Sequence, residues 1–346
     1  MDDSELDRIL KSWDFRSLLN LKLDEHLYGI INELLCNYSK EYTSIRKLNE
    51  AIQDTFNAFN SKLAESAVDM GLGYFDATYS SVGSRGEGLG LLANDTDLLC
   101  VSNRTKVCLP MPDFDPDINT LIMEMDHCHQ GYCKLKLHRN NLFDAVDNLP
   151  RSEIVRKHRN IYVKNTHFVG RFHDKNVAFH GWYWEGPALK DYDTKQDWVI
   201  ALQCMNSSHL YKAYFQRTRR WPNVDMTEHM KNIPCSVVCA HHASSDAPLE
   251  EYRISFARAE KYIMRNVSHV QMACYFTLKE VVKNHVEDIL SDDFDEDEND
   301  IFKTYYIKTV FLWCSERTNL KFGRTTIFSD AQFYVYLIFS SVMNCK

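Results

Sequence analysis

The sequence predicts an α/β protein of the α+β kind, with a mixed sheet in its first part and helices in its second part. Short runs rich in β-branched and apolar residues dominate between Gly71 and Cys204, namely TYSSV, DLLCV, IYVKNTHFVGRF and DWVIALQC. After Cys204 a helical spacing of apolar residues returns in YRISFARAEKYIM, YFTLKEVVKNHVEDIL and FKTYYIKTVFLWCSE. These two patterns place a sheet-containing lobe before a helical lobe.

Length and composition support two lobes in a folded chain. With 346 residues, the chain exceeds what one hydrophobic core usually serves. Its 45% hydrophobic and 25% charged residues exclude the disordered, collagen-like and coiled-coil classes. We expect the first lobe to span residues 1–205 and the helical lobe residues 206–346.

The sequence also predicts a cytoplasmic protein without a membrane partner. The N-terminal MDDSELDRILKSWDF has acids and no apolar core of a signal peptide, and no run of about 18 apolar residues follows. The 11 cysteines have no regular spacing, which in a reducing compartment indicates buried thiols.

The acidity of the chain is local. The formal net charge is −8, but nine acids lie within Glu287–Asp300, so the rest of the chain is close to neutral. We interpret residues 287–300 as a solvated surface loop. The net charge therefore does not exclude a polyanionic partner.

A long spine helix is predicted over residues 24–70. Its apolar stripe recurs at steps of three and four residues and comprises Ile45, Leu48, Ile52, Phe56, Phe59 and Leu63. The opposite face offers Lys40, Arg46, Lys47 and Lys62. These cations fit either a polyanion contact or an ordinary solvated helix face, and the sequence does not decide between the two.

The segment SVGSRGEGLGLLANDTDLLC, from Ser81 to Cys100, carries the strongest chemical signal. Its glycine-rich turn at Gly83-Ser84 can bring backbone N–H groups and a hydroxyl close to phosphate oxygens. Asp95 and Asp97 follow in an apolar run, where residues i and i+2 of a strand point to one face. Two adjacent carboxylates suit Mg²⁺, and two-metal chemistry requires a third acid from elsewhere.

Other phosphate motifs do not fit this segment. No Lys-Ser/Thr pair follows the glycines, which excludes a P-loop. A clear helix does not follow either, which disfavours a dinucleotide-binding fold. Taken singly, a glycine run is often a simple turn and an Asp-x-Asp pair is often solvated, so the prediction depends on their order and on the apolar flanks.

Gly83-Ser84 followed by Asp95-x-Asp97 resembles the signature of polymerase-β-type nucleotidyltransferases. Three further segments resemble the male-abnormal branch of animal enzymes that includes cyclic GMP-AMP synthase and the cGAS-like receptors: Gly186-Pro187-Ala188, DWVIAL from Asp197, and Arg220-Trp221-Pro222. The resemblance covers nearly the whole chain. It implies that Asp197 is the third metal-binding acid and that a helical C-terminal lobe closes the nucleotide cleft.

The resemblance also implies nucleotide contacts in two helix motifs. Tyr252–Phe256 with Ala259-Glu260-Lys261 is similar to one motif, and Phe302–Tyr305 with Lys308-Thr309 is similar to the other. By position the implied nucleotide-binding residues are Arg253, Lys279, Thr304 and Tyr305. From the residues alone, an ion pair of Arg253 with Glu250 or Glu260, a solvated Lys279 and a core Tyr305 remain open.

Zinc is not expected. The vertebrate enzyme has a ribbon of one His and three Cys after the first helix motif, whereas Met264–Leu278 offers only His269 and Cys274. The group Cys235, Cys239, His241 and His242 has metal-ligand residue types, but four ligands so close in sequence rarely complete a tetrahedron. We predict buried thiols beside a surface loop there.

The resemblance implies a synthase that joins two ribonucleoside triphosphates, such as ATP and GTP, into a cyclic dinucleotide such as cyclic GMP-AMP. It would use Mg²⁺ or Mn²⁺ and act in innate antiviral immunity, with double-stranded RNA or another polyanion as activator and a downstream receptor such as STING. The basic run Arg156–Arg159 is a further candidate polyanion contact. Two alternatives remain open, namely a catalytically silent binding protein of the same fold and a synthase of linear oligonucleotides.

Overall fold

The computed structural model describes residues 41–69, 76–89, 96–110, 120–137, 150–169, 182–191, 195–219, 221–268 and 304–317, together with 271, 272, 275, 276 and 279. The chain divides into two compact units, one formed by Ser44–Val267 and the other by Ser268–Lys346 with Met1–Thr43. A large mixed sheet lies in the first unit, and helices accompany it. This architecture confirms the α+β prediction.

The described strands are β1 (Ala77–Val82), β2 (Thr96–Cys108), β3 (Thr120–Glu124), β4 (Tyr132–Leu137), β5 (Ile154–Lys157), β6 (Asn160–Val163), β7 (Trp182–Glu185), β8 (Ala188–Asp191), β9 (Gln196–Cys204), β10 (Ser236–Val238) and β11 (Glu251–Ser255). The described α-helices are α1 (Glu41–Asp69), α2 (Gly83–Gly86), α3 (Lys212–Gln216), α4 (Val224–Lys231), α5 (Ala257–Arg265) and α6 (Thr304–Arg317). Short 3₁₀ helices lie at Arg151–Glu153 and Ser207–Tyr211.

Strand β2 lies inside the sheet and pairs with three other strands. Its first half lies between antiparallel β1 and parallel β9, and its second half lies between β9 and parallel β3. From β3 the pairing continues through β4, β11 and β10 back to β9. Six strands therefore form a closed circuit of hydrogen bonds, while β8 and β7 extend from β9.

The two faces of the sheet carry different cores. The larger core includes Cys100, Ile200, Leu202 and Tyr252. A smaller core on the opposite face includes Val82, Leu99, Val101, Ala201 and Val238. Because alternate residues of a strand share a face, Asp97 lies on the face of Leu99, and Asp197 lies on the face of Ala201. Both acids therefore project beside the smaller core.

Helix α1 covers the edge of β1 with polar side chains. The backbone N–H of Ser81 donates to Oδ1 of Asn57 at 3.0 Å, and the N–H of Tyr79 donates to Oγ of Ser61 at 3.0 Å. These contacts satisfy donors that an edge strand would otherwise leave unpaired. The polar face of α1 therefore packs against the edge of β1, because its side chains accept hydrogen bonds from the backbone of that strand.

This arrangement overturns two expectations about the spine helix. The apolar stripe, which an amphipathic helix usually turns towards a core, is exposed at Leu48, Ile52, Phe56 and Phe59. Arg46, predicted on the outer face, is instead buried and pairs with Glu50 at 3.0 Å. The physical reason is that the neighbouring strand edge requires hydrogen-bond acceptors, which apolar side chains cannot supply.

Two of the local predictions were wrong in part. Tyr252–Ser255 belongs to β11 rather than to a helix, and only the residues that follow form α5. Tyr252 is fully buried, and its hydroxyl donates to the carbonyl oxygen of Val163 at 3.1 Å. In the run 161–172, the strand β6 ends at Val163, and 165–169 is helical. Strand β6 has only four residues and lies directly before a helical segment. This is too short to distinguish the two-residue period of a strand from the period of a helix.

The second unit contributes α6, which confirms the helix predicted for the last apolar run. The rings of Tyr275 and Phe311 pack within this unit with centroids 5.1 Å apart. Residues 24–40 of the predicted spine helix and all of 280–303, which includes the acidic segment 287–300, lie outside the described residues.

Candidate active site

One register row crosses four strands and brings the candidate acids together. Asp97 of β2 is the direct partner of Asp197 of β9, and Lys190 of β8 is the partner of Asp197 on its other side. On β1 the partner of Asp97 is Val82, directly before the glycine turn. Directly paired residues project to the same face, with backbones about 4.8 Å apart. The sheet therefore places two carboxylates and one ammonium group side by side.

The glycine turn lies directly against the first of these acids. Gly83 has a φ of +62°, and a Cβ built on it would overlap Oδ2 of Asp97. The turn is closed by the N–H of Glu87, which donates to the carbonyl oxygen of Gly83 at 3.0 Å. Only glycine allows both this backbone conformation and this approach. The structure therefore brings Gly83 directly against Asp97.

The far end of the turn is held by α5 and α1. Arg265 donates from Nε to the carbonyl oxygen of Gly86 at 2.7 Å, and its Nη1 pairs with Asp54 of α1 at 2.8 Å. Arg46 donates in turn from Nη2 to the carbonyl oxygen of Arg265 at 2.7 Å. Two helices therefore fix the turn against Asp97 through charge-assisted hydrogen bonds, which are stronger than neutral ones.

Asp197 has a cationic neighbour that the sequence analysis missed. Nζ of Lys190 lies 3.6 Å from Oδ2 of Asp197. The signal was present in the sequence, because Ala188 and Asp197 begin two short apolar runs that a hairpin would join. Antiparallel pairing of those runs places Lys190 opposite the acid.

Arg253 lies on the same face of the sheet as the acids, but at a distance from them. It is exposed on β11 and is the register partner of Val238, which belongs to the smaller core. Arg253 and Asp197 are separated by four residues along the strand direction and by two steps between neighbouring strands. On a flat sheet this amounts to roughly 16 Å. Arg253 would therefore meet only the far end of a ligand bound at the acids.

The other predicted site residues cannot be placed beside the acids. Asp95 lies outside the described residues. Lys279, Thr304 and Tyr305 belong to the second unit, and the last two begin α6. In the ranges that the structure describes, no three His, Cys, Asp or Glu side chains group as metal ligands. Asp97 and Asp197 are thus the described part of the predicted acid triad.

The pair nevertheless fits a hard divalent cation. Mg²⁺ in nucleotide enzymes is usually held by one or two carboxylates together with phosphate oxygens. Asp97 and Asp197 supply two carboxylates on one row, and Gly83 leaves the space beside Oδ2 of Asp97 clear of a side chain. Their donor set consists of oxygen atoms, as Mg²⁺ and Mn²⁺ prefer.

The cysteine and histidine group behaves as predicted. Cys235 and Cys239 are buried, and burial raises the pKa of Cys239 to about 12. His241 is exposed, and its Nδ1 lies 2.9 Å from the carbonyl oxygen of His242. The two thiols are thus buried core side chains beside a surface loop, as predicted.

The sequence analysis also missed a histidine cluster at the opposite end of the sheet. The rings of His129 and His242 stack with centroids 3.9 Å apart. Nδ1 of His129 lies 3.2 Å from the buried carboxylate of Glu251, and the same carboxylate accepts from the N–H of His242 at 3.2 Å. No spacing pattern joins these residues, which come together through the β3–β4 and β10–β11 connections.

Comparison with known proteins does not identify the chain. No family model matches it, and no curated protein sequence matches it. Among the residues whose structure is described, no helix has the length and apolar character needed to cross a membrane.

Proposed function

We propose that this protein is a metal-dependent nucleotidyltransferase that joins two ribonucleoside triphosphates into a cyclic dinucleotide. One observation carries the proposal: Asp97 and Asp197 are register partners on parallel strands, and the Gly83 turn lies directly against Asp97. Two-metal phosphoryl transfer needs carboxylates on one face beside a phosphate-binding turn. The resemblance of the sequence to cGAS-like receptors points to the same reaction.

Each group has a role in this reaction. Asp97 and Asp197, with Asp95 as the third acid, would hold Mg²⁺ or Mn²⁺, which when bound activates the acceptor hydroxyl and neutralises the departing pyrophosphate. The N–H groups and the Ser84 hydroxyl of the turn bind the triphosphate and orient its α-phosphorus towards the acceptor. A second transfer on the linear intermediate would close the ring.

The resemblance implies four contacts to the acceptor nucleotide. Arg253 has the charge to contact a phosphate or a base edge, and Tyr305 has a ring on which a base can stack. Lys279 and Thr304 would complete the contacts. These four assignments come from the resemblance and are part of the proposal.

A polyanion such as double-stranded RNA is the proposed activator. Lys47 and Lys62 are exposed on α1, and Arg156–Arg159 is exposed at the end of β5 and in the turn that leads to β6. Arg46 does not belong to this surface because it is buried, and Lys40 lies outside the described residues. Binding through such cations would weaken steeply with salt. If neither double-stranded RNA nor DNA gives a gel shift with the protein at low salt, this part of the proposal is refuted.

The function is tested with four labelled ribonucleoside triphosphates, Mg²⁺ or Mn²⁺, and double-stranded RNA or DNA. A compact, phosphatase-resistant product is expected, and it should disappear in Asp97→Asn and Asp197→Asn. Asp126→Asn, on an exposed loop, is the matched control and should keep full activity. An active and folded Asp97→Asn protein would contradict the metal assignment.

The same experiment separates the alternatives. A ladder of linear products that grows with time would indicate an oligonucleotide synthase. Nucleotide binding without any product, with every activator, would indicate a catalytically silent member of the fold. The described pair of acids favours an enzyme, because a silent protein has no need of two adjacent carboxylates, which repel each other.

A further inference from the structure

The row through the candidate site contains its own cation. Lys190, Asp197 and Asp97 occupy one register row on three neighbouring strands, and all three project to the face of the smaller core. The side chains of Lys190 and Asp197 are only 28% and 24% exposed. This is therefore a partly shielded ion pair at the site, unlike the mobile pairs of an open surface.

When no divalent cation is bound, the two carboxylates of this row need another positive charge nearby. Two carboxylates on paired residues repel each other, and partial burial reduces the screening by water. An ammonium group 3.6 Å from one of them offsets part of that repulsion. A divalent cation bound by the same oxygens would face this positive charge at close range.

We propose that Lys190 is a tethered counter-ion that occupies Asp197 in the metal-free protein and is displaced when a divalent cation binds. Lys190 thereby lowers the affinity of the site for Mg²⁺ or Mn²⁺ and sets the metal concentration at which the site fills. The lysine stem is flexible, so Nζ can leave the carboxylate while the backbone stays paired. This inference rests on the proposed metal site. It assigns a role in metal affinity to Lys190, which is not one of the proposed metal ligands.

The alternative is that the ion pair only joins β8 to β9. The two ideas predict opposite effects of removing the charge. A structural pair, once broken, would loosen the strands and weaken metal binding. A competing counter-ion, once removed, would strengthen it.

Direct Mn²⁺ binding without nucleotide tests this, with free Mn²⁺ measured by electron paramagnetic resonance. Lys190→Met keeps the length of the side chain and removes its charge, and we expect Mn²⁺ to bind roughly three- to tenfold more tightly than to the wild type. Lys190→Arg keeps the charge and should bind Mn²⁺ no more tightly than the wild type. Lys136→Met, which removes an ion pair with Glu124 at 2.7 Å between side chains of similar exposure (27% and 23%), is the control and should leave the affinity unchanged.

The outcomes separate this inference from the proposed function. If the wild type binds Mn²⁺ and Asp97→Asn does not, but Lys190→Met binds it equally or less tightly, the counter-ion role is wrong and the metal site stands. If neither the wild type nor Lys190→Met binds Mn²⁺ at millimolar concentration, both proposals fail. A thermal unfolding scan gives a second readout, since added Mn²⁺ should raise the Tm of Lys190→Met more than that of the wild type.

Discussion

Asp97 and Asp197 are direct partners on the parallel strands β2 and β9, although they lie far apart in the sequence. Parallel pairing over six consecutive residues, from Thr96 to Val101, fixes this register. A shift by one residue would turn one acid to the opposite face of the sheet. The relation between the two carboxylates therefore depends on the whole β2–β9 pairing and not on local loop geometry.

Gly83→Ala should disrupt the site through a direct clash. The new Cβ would overlap Oδ2 of Asp97, and φ is +62° at this position. We expect a loss of about 1 to 3 kcal/mol in unfolding free energy and loss of Mn²⁺ binding.

Gly186→Ala is the matched control for that change. Its φ is +56°, so it carries similar backbone strain, but no atom lies within 4 Å of its Cβ position. It should lose some stability and retain Mn²⁺ binding. Equal metal binding by Gly83→Ala and Gly186→Ala would show that the turn does not lie against Asp97 as described.

Local patterns in the sequence were sufficient for the strands around the acids. Runs rich in β-branched and apolar residues predicted strands at the positions of β1, β2 and β9, and helical spacing predicted α6. These elements have long or strongly patterned segments whose own residues specify the period. Their pairing order could not be read in the same way, since register between distant strands depends on tertiary packing.

The orientation of α1 and the two missed basic residues illustrate what local patterns cannot give. The apolar stripe of α1 suggested inward packing, but the strand edge of β1 selected Asn57 and Ser61 instead. Lys190 and Arg265 acquire their roles only from partners on other elements, Asp197 and the carbonyl oxygen of Gly86. For Arg265 the sequence has no signal beyond the charge itself, whereas for Lys190 the two neighbouring runs that could pair as a hairpin were the one local indication.

Arg265→Met should destabilise the protein by about 2 to 4 kcal/mol, because it breaks the link from α5 to the turn and to α1. The change leaves Asp54 and the carbonyl oxygen of Gly86 without this donor. Urea unfolding at pH 7 measures the effect. Arg104→Met removes an ion pair with Asp76 of similar length, 3.0 Å, on a side chain that is 62% exposed, and it should lose less than about 1 kcal/mol. Similar losses for both variants would argue against the special role of Arg265.

Lys261→Met should stabilise the protein at neutral pH. Burial, and then the nearby charge of Arg265, lower the pKa of Lys261 from 10.5 to about 8, while Asp54 opposes the shift. Below pH 8 the native state must hold a charged, poorly solvated ammonium group, so the methionine variant should gain about 1 to 2 kcal/mol.

The pH dependence of that gain provides the check. Between pH 8 and about 10.5 the native lysine loses its proton before the unfolded one does, so the stability of the wild type rises relative to the variant. The difference in urea midpoint should therefore shrink over this range. Lys62→Met, on the exposed surface of α1, should show no such trend. A gain that is constant from pH 7 to 10.5 would contradict the lowered pKa.

Glu251→Gln should destabilise the protein at pH 7 and make little difference in acid. Burial alone would raise the pKa of Glu251, but hydrogen bonds from Ser245, the amide of His242 and His129 outweigh it and hold the pKa below its usual value. The stabilisation is therefore complete above the unfolded pKa of about 4.3 and is lost as the pH falls through the lower native pKa. We expect the free energy of unfolding to be about 1 to 3 kcal/mol lower than in the wild type at pH 7, and this difference should narrow below pH 4.3.

Glu228→Gln is the control for this change, because the partner of Glu228 is the exposed Lys231. Its stability should differ little from that of the wild type at any pH. A Glu251→Gln protein as stable as this control at pH 7 would show that the carboxylate of Glu251 does not hold the β3–β4 and β10–β11 connections together.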